Sequence, residues 1–404
     1  MATYVAKPIA LPVAQCDARA LTICHFTTAH SQLKSRSFHR EFLPLASTGI
    51  RVLYASPAQL PAARRGVRFV NLPAHKGRFG RAFGLPALLR MLIRENANLY
   101  HFQDPELLPA AFALKLLFRR RVIFDAYEDF PSAVANKKWI PRFLQPAAAA
   151  ILARIEHAAV RCFDGVMTAD PLTLRRFARR GKSGKLVFYN FPNLDLFPPP
   201  HPVPKPFDLV YRGGLSERAG IHVLLEALRL LQTERRRLPN ERPPRLLLIG
   251  YFDGPSAERE LRDRVRHLGF ESNVEIRGRL PHESMADTLS QARIGICPLL
   301  AIPKFLRNIP VKVFECWACG IPVVATDLPP IRPFFPSRRD ERAGLLVPPN
   351  DPAALARAIS WLLDRPEEMA SMGERGRQLV VQRFNNAGEV RKLRRFIARV
   401  AAAK

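Results

Sequence analysis

A lysine and a glutamate stand three residues apart in the segment Pro310–Asp327, which reads PVKVFECWACGIPVVATD. Residues at this spacing lie on one face of a helix, so Lys312 and Glu315 are predicted to be neighbours. Gly320 suits the position just after the helix end, where the backbone turns left-handed. The apolar residues Val323–Ala325 then indicate the next parallel strand.

A cation and a carboxylate on one helix face beside a strand end suit a ligand that carries both phosphates and hydroxyl groups. A nucleotide sugar is such a ligand. The alternative from spacing alone is a surface ion pair on an ordinary helix.

A glycine-rich turn offers a second candidate site, in the segment Arg212–Gly220 with the sequence RGGLSERAG. The glycines Gly213, Gly214 and Gly220 let backbone amides approach a diphosphate, and the helix that follows adds partial positive charge at its N-terminus. Such a turn is weak evidence alone and gains weight together with Lys312.

Short apolar runs alternate with helical patterns along the whole chain, which is typical of βαβ units and parallel sheets. Residues 190–206 are rich in proline and show no helical period. The chain is therefore predicted to be an α/β protein with two Rossmann-like domains that face each other across a ligand-binding cleft. We expect a disordered leader at 1–19, an acceptor domain at 20–189, a linker at 190–206 and a nucleotide-sugar domain at 207–385.

The predicted strands are listed by residue number. They are 20–26, 51–55, 67–72, 97–102, 121–125, 165–168 and 186–189 in the first half, and 208–211, 245–250, 274–278, 294–299, 322–326 and 344–347 in the second.

The six cysteines have no disulfide framework spacing, which indicates a reducing compartment. Cys316 and Cys319 form a CxxC pair, but no second pair or histidine follows at zinc-ligand spacing, so core packing is the preferred interpretation and no metal site is predicted. No run of eighteen uncharged apolar residues occurs, and so the sequence offers no transmembrane segment.

The formal net charge of +28 requires a negatively charged partner. Nucleic acid is not favoured, because the aromatic residues are not interleaved with the basic ones. An anionic membrane surface fits two clusters that mix apolar and basic residues, Phe79–Arg94 and Lys137–Leu144. The alternative for each cluster is a solvated charged face.

Several motifs together resemble the family-four retaining glycosyltransferases (glycosyl transferase group 1, GT-B fold). The segment Pro310–Asp327 resembles their nucleotide-sugar loop and helix. His25–Glu41 is similar to their first strand, loop and helix, and His101–Pro109 and Val122–Pro131 are similar to two acceptor-side loops. The similarity runs from about Leu21 to the C-terminus, and it implies a C-terminal helix (386–404) that crosses back to the first domain.

The resemblance implies roles for individual donor-side residues. Lys312 and Arg218 would stabilise the leaving diphosphate, although the family's basic residue before the last glycine is Ala219 here. Glu315 would accept hydrogen bonds from ribose hydroxyls, and Arg307 stands in place of the family's first glutamate. Backbone groups of Asn308 and Pro310 would contact the sugar, and Gly278 and Leu280 would frame the base.

On the acceptor side the resemblance and the strand ends single out six residues: His30, with a catalytic role, and Arg36, Asp104, Glu106, Asp125 and Glu128. For the turn that contains Asp104 and Glu106, a structural capping role is preferred to a catalytic one. The family branch usually has histidine where Gln103 and Tyr127 stand.

The function implied is retaining transfer of a sugar from a nucleotide-diphosphate donor to a lipid-linked saccharide or a surface polysaccharide, at the cytoplasmic face of the membrane. The implied reaction uses the nucleotide sugar as substrate and no separate cofactor. The rival hypothesis is a degenerate relative that binds a nucleotide sugar or a partner without turnover, because of Ala219, Arg307, Gln103 and Tyr127.

Overall fold

The computed structural model describes residues 21–28, 35–57, 60–73, 80–81, 83–134, 140–177, 184–235 and 242–403. The predicted leader and His30 lie outside these ranges. So do residues 79, 82 and 137–139 of the two proposed membrane clusters.

The first half of the chain forms an eight-stranded sheet in the order β3-β4-β2-β1-β5-β6-β7-β8. Its strands are β1 (Thr22–Phe26), β2 (Arg51–Ser56), β3 (Ala63–Arg64), β4 (Val67–Asn71), β5 (Leu99–Phe102), β6 (Arg121–Ala126), β7 (Gly165–Thr168) and β8 (Gly184–Val187). All pairs are parallel except β3 with β4.

The second half forms a six-stranded parallel sheet in the order β11-β10-β9-β12-β13-β14. Its strands are β9 (Phe207–Gly214), β10 (Leu246–Tyr251), β11 (Val274–Arg277), β12 (Ala292–Cys297), β13 (Val323–Thr326) and β14 (Gly344–Val347). The prediction of two parallel α/β sheets is confirmed. Several predicted strand bounds were wrong: β8 and β12 each begin and end two residues earlier than expected, β9 ends three residues later, and β1 and β5 begin two residues later. The two-residue β3 was not predicted.

Helices cover the sheets. In the first half they are α1 (Leu43–Ala46), which continues a π-helical turn at Ser35–Phe42, α2 (Leu85–Glu95), α3 (Leu108–Leu116), α4 (Phe130–Val134), α5 (Gln145–Cys162) and α6 (Pro171–Phe177). In the second half they are α7 (Ile221–Arg235), α8 (Pro255–His267), α9 (Met285–Ser290), α10 (Val311–Ala318), α11 (Pro352–Leu363), α12 (Pro366–Gln382) and α13 (Asn386–Ala402).

Helix α2 corrects one sequence-based interpretation. Its residues Leu88 and Leu92 are buried, and Leu85, Leu89 and Met91 pack partly against the same core. These side chains were assigned to a membrane-binding cluster, but their period of three to four residues places them on the face that covers the first sheet. Of the apolar residues in this cluster, Phe83 is exposed.

The last helix, α13, lies against the first sheet beside β8. Phe396 and Val400 are buried there, next to Gly165 and Gly184, where a larger residue would collide with the phenylalanine ring. Arg121 donates to the Val400 carbonyl at 2.8 Å. The chain thus returns to the N-terminal half after completing the second sheet, and this contact fixes the two halves beside each other.

The proline-rich segment between the sheets is anchored by aromatic residues. Phe191 and Phe197 are buried in the core of the second half. Because the segment is tied down at these points, it holds the carboxyl ends of both sets of strands around a common cleft.

Candidate functional site

The glycine turn after β9 is shaped for close backbone approach. Gly213 and Gly220 have positive φ values of 146° and 79°, a region that favours glycine. A Cβ atom on Gly220 would lie 1.8 Å from the Pro298 carbonyl oxygen. No residue with a side chain fits there, so the turn that leads into α7 depends on this glycine.

Lys312, in the first turn of α10, reaches this glycine turn. Its Nζ lies 3.9 Å from the centre of the Tyr211 ring and 2.9 Å from the point where a Cβ on Gly213 would stand. Burial lowers the pKa of Lys312, whereas the Tyr211 hydroxyl and the Cys297 thiol raise it. The second effect is the larger, so the pKa lies above its ordinary value. The side chain is therefore an ammonium at neutral pH.

Lys312 forms no salt bridge with any carboxylate in the part of the chain that the structure describes. Lys312 is half-buried, and an ammonium that has lost part of its hydration without gaining a carboxylate partner is stabilised when an anion binds beside it. The lysine and the glycine turn, predicted separately from the sequence, thus meet at one point that suits an anion.

Lys312 and the glycine turn line a pocket with a volume of about 880 Å³. The predicted residues Gly213, Gly214, Arg218, Asn308 and Pro310 line it too. Its charged residues are Arg218, Lys304, Lys312 and Asp253, three cations against one carboxylate. We call this cavity the donor-side pocket.

Some predicted donor-side residues lie elsewhere. Gly278 and Leu280 follow β11 and are not among the residues that line the donor-side pocket. Gly220 shapes the turn from outside the lining. Arg218 points partly to solvent and pairs with Asp253 at 3.3 Å.

Glu315 lies one helical turn beyond Lys312 and is fully buried. Arg40, from the first half of the chain, donates to its Oε1 at 2.9 Å, and Arg212 donates to its Oε2 at 2.5 Å. Burial raises the pKa of the Glu315 carboxyl, and the two arginines more than offset this, so that the net pKa is below the ordinary value. In this arrangement Glu315 connects the two halves, and its contact with a ribose stays a prediction.

The predicted acceptor-side pair, Arg36 and Asp125, forms a buried bidentate ion pair with two N–O distances of 3.0 Å. Arg36 also donates to the Asn190 side chain at 2.8 Å, and Gln103 donates to Asp125 at 2.7 Å. Asp125 was predicted to lie on the acceptor side, but its carboxylate is fully buried and enclosed by these donors.

Asp104 and Glu106 are likewise engaged. Thr27 donates to Asp104 at 2.6 Å, and Arg81 and Thr28 donate to Glu106 at 2.7 and 3.0 Å. The capping alternative for Asp104 was wrong, since its side chain makes no capping hydrogen bond to the turn that follows it. These contacts tie the loop after β1 to the loop after β5.

A second pocket of about 680 Å³ is lined by residues of both halves, and Glu128 is one of them. The acceptor-side role of Glu128 stays a prediction. Tyr127, Asp170, Tyr189 and Asn190 belong to the same wall. Burial, and then the nearby carboxylates, raise the pKa of the Tyr127 phenol, so it is neutral at physiological pH. Aromatic rings with carboxylate and amide groups suit a polyhydroxylated ligand.

Glu41, His101 and Asp125 place potential ligand atoms within 4.8 Å of one another. This set does not fit a metal ion, because the Arg36 guanidinium already pairs with Asp125 and contacts Glu41 at 3.0 Å. The arginine supplies the positive charge in this cluster.

Sequence reasoning missed Arg40, Arg212 and the cleft-spanning contact of Arg307 with Asp129. The partners of Arg40 and Arg307 are separated by 275 and 178 residues along the chain.

Residues 206–365 match the family model described as "Glycosyl transferases group 1". The chain is similar to the putative colanic acid biosynthesis glycosyltransferase WcaL of Escherichia coli, with 31% identity over 184 residues that cover 45% of this chain and 42% of the relative. It is also similar to the amylovoran biosynthesis glycosyltransferase AmsK of Erwinia amylovora, with 26% identity over 49% of this chain and 46% of the relative. The chain spans less than half the length of these curated relatives.

Among solved structures, sucrose-phosphate synthase from Thermosynechococcus elongatus covers 95% of this chain and all of its own, with a TM-score of 0.73 and 20% identity. HepE of Anabaena, solved with UDP-glucose, covers 94% of this chain and all of its own, with a TM-score of 0.70 and 14% identity. These likenesses establish the GT-B fold, with two Rossmann-like halves around a cleft.

Proposed function

Since residues 206–365 belong to the glycosyl transferase group 1 family, we propose that the protein transfers a sugar from a nucleotide-diphosphate donor to a saccharide acceptor. The observation that carries this proposal is Lys312, a half-buried ammonium beside a glycine turn in a pocket with an excess of positive charge. A diphosphate supplies the missing negative charge, and the pocket has room for the attached nucleoside and sugar.

The reaction begins when the bond between the sugar's anomeric carbon and the β-phosphate oxygen breaks. The electron pair of that bond leaves with the nucleoside diphosphate, and Lys312 and the glycine-turn amides stabilise the developing charge. An acceptor hydroxyl then forms the new bond on the face that the diphosphate leaves, and its proton passes to a phosphate oxygen. This course retains the anomeric configuration without a pair of catalytic carboxylates.

The second pocket is the proposed acceptor site. It shares Lys304, Asn308 and Ile309 with the donor-side pocket, so the two cavities adjoin along one loop. An acceptor hydroxyl in the second pocket can therefore approach the sugar end of the donor. We assign the acceptor to a lipid-linked saccharide or a growing surface polysaccharide. The names of WcaL and AmsK, which refer to polysaccharide biosynthesis, support this assignment.

A membrane-facing location is part of the proposal. The structure contains no helix, within the ranges it describes, that is long and apolar enough to cross a bilayer. Helix α5 and the turn before it expose Phe143, Ile151 and Ile155 at 80%, 55% and 40%. The exposed residues between 141 and 162 include Arg142, Arg154 and Arg161 and no carboxylate. This mixture suits peripheral binding to anionic lipid at the cytoplasmic face of the membrane.

The proposal is tested by incubating the protein with a panel of nucleotide sugars, with and without lipid-linked saccharide extracts, and measuring released nucleoside diphosphate. We expect release with one donor, and loss of release in Lys312→Met. The rival hypothesis is a binding protein without turnover. It is motivated by Ala219 and Arg307, which stand where the family has a basic residue and a glutamate. Calorimetric binding of a nucleotide sugar with no release under any acceptor would support the rival and overturn the proposal.

A further inference from the structure

The loop Ile302–Pro310, which we call the bridging loop, separates the two pockets. Ile302, Lys304, Asn308, Ile309 and Pro310 line the donor-side pocket, and three of these also line the second pocket. The position of this loop therefore determines the shape of both cavities.

Within its own half of the molecule the bridging loop is held by short turns and by Phe305 and Ile309, which pack against the core of that half. The Phe305 and Leu306 amides donate to the Ile302 carbonyl at 2.9 and 3.0 Å, and the Asn308 amide donates to Lys304 at 3.2 Å. These bonds define the shape of the loop, but they do not fix it against the opposite half.

That attachment comes from Arg307. Its Nη1 donates to the Asp129 carboxylate and, at 3.0 Å, to the Ser132 hydroxyl, both from the first half of the chain. Lys304 forms a second, longer ion pair across the cleft, with its Nζ 3.9 Å from the Glu128 carboxylate. Arg307 does not line the donor-side pocket, and its guanidinium contacts Asp129 and Ser132 of the first half instead.

Asp129 is a rigid anchor for this contact. Its side chain is 9% exposed, and Arg176 and Ser132 each donate to it at 2.6 Å. Arg176 is itself held by the buried Glu156 at 2.7 Å. The Arg307 side chain, in contrast, is 46% exposed, so the pair forms at the cleft surface between one buried and one half-exposed partner.

We propose that Arg307 is a positioning residue that closes the cleft: it fastens the bridging loop, three residues of which line the second pocket, to Asp129 of the first half. The inference rests on the proposed function for its catalytic consequence, but not for the contact itself. At the position where the resemblance expects a sugar-contacting glutamate, this chain has a cation directed at a carboxylate of the other half. Because the pair is half-exposed, it opens readily and weakens with salt, which lets an acceptor enter before the cleft closes.

The experiment compares Arg307→Met, Asp129→Asn, the double variant and Arg307→Lys. Arg262→Met, which removes an exposed arginine paired within α8, is the matched control. Small-angle X-ray scattering measures the radius of gyration at low and high salt, and calorimetry measures the affinity for uridine, guanosine and adenosine diphosphates. Transfer is measured with the donor that the panel identifies.

We expect a larger radius of gyration in both single variants, no further increase in the double variant, and recovery in Arg307→Lys. Transfer should fall roughly two- to fivefold in each single variant, as for an exposed ion pair, and no further in the double variant. Nucleoside diphosphate affinity should not change. Arg262→Met should match the wild type throughout.

Three results would overturn the inference: an unchanged radius of gyration, additive effects in the double variant, or a loss of nucleotide affinity as large as the loss of transfer. A wild type that transfers no sugar would defeat the proposed function alone. The scattering and double-variant comparison would still decide whether Arg307 closes the cleft.

Discussion

Arg40 and Glu315 join the two halves of the molecule at 2.9 Å, although 275 residues separate them in the chain. Both side chains are buried, and Arg212 occupies the second carboxylate oxygen. A buried carboxylate between two guanidinium groups is stable only while all partners remain, since each lost partner leaves an uncompensated charge. The relative position of the two Rossmann-like halves therefore depends on Glu315.

Replacing Glu315 by Ala should lower the free energy of unfolding by about 3 kcal/mol, because Arg40 then stays buried without a counter-charge. Arg40→Met should cost less, since Arg212 still neutralises Glu315. The double variant should be more stable than Glu315→Ala alone. Urea unfolding monitored by circular dichroism measures these values. Strictly additive losses would show that the two residues do not interact.

The same Glu315→Ala variant tests the ribose contact that the resemblance implies. If Glu315 binds the ribose, affinity for the free nucleoside diphosphate should fall together with affinity for the sugar nucleotide. Arg40→Met, which leaves the carboxylate in place, is the control for effects of the ion pair. A change confined to acceptor affinity would exclude the ribose role.

Lys312→Met should reduce transfer by about ten- to a hundredfold, since a charge-assisted hydrogen bond is worth roughly 1.5–3 kcal/mol. The methionine keeps the length of the side chain and removes its charge. Lys115→Met removes a lysine that pairs with Asp164 away from both pockets, and it should retain full activity. Unchanged transfer in a folded Lys312→Met protein would disprove the diphosphate contact.

Stability should decrease in acid because of His101. Burial lowers the pKa of His101 to about 4, from an ordinary value of 6.5. The unfolded chain takes up this proton near pH 6.5, whereas the folded protein does so only near pH 4. The contribution is therefore complete above pH 6.5 and is lost as the pH falls towards 4, in total about 3 kcal/mol.

The measurement is urea unfolding of the wild type and His101→Gln at several pH values between 4 and 7. The difference between the two proteins should shrink as the pH falls, because glutamine does not titrate. His282, whose pKa burial also lowers to about 4, is present in both proteins and cancels in the difference. A difference that is independent of pH would contradict the assignment to His101.

Much of the fold was predictable because each strand is a short apolar run with breakers on both sides. The run Val122–Phe124 and the run Leu246–Ile249 became fully buried central strands. The pair Ala63–Arg64 carries no such signal, as it forms a short antiparallel edge that is exposed on both residues. Helix α2 was assigned to a membrane-binding surface because of its basic residues, but the apolar residues that recur every three to four positions pack against the core.

The site was predictable where chemistry is local in sequence. Lys312 and the glycine turn could be recognised from spacing and residue type, and the structure brings them together. The roles of Arg36 and Asp125 could not be recognised from the sequence. Their bidentate pair is buried only when the first sheet and the segment following β8 assemble around it. Long-range ion pairs have no period in the sequence, so the contacts of Arg40 and Arg307 required coordinates.

The exposed face of α5 gives the last prediction. Phe143 and Ile151 are apolar residues beside Arg142 and Arg154 on a surface without exposed carboxylates. Attraction between charges is screened beyond about 8 Å at physiological salt, whereas apolar insertion persists. Binding to vesicles should therefore require acidic lipid, weaken with added salt, and weaken further in Phe143→Ser/Ile151→Ser at constant charge.

Pelleting with phosphatidylcholine vesicles, with and without phosphatidylglycerol, measures this binding. Leu172→Ser is the matched control, since Leu172 is also exposed, at 42%, but lies on the separate helix α6. Equal binding to neutral and acidic vesicles, or to neither, would contradict membrane docking. The acceptor would then be a soluble saccharide, because an enzyme without affinity for the bilayer gains no access to a lipid-linked one.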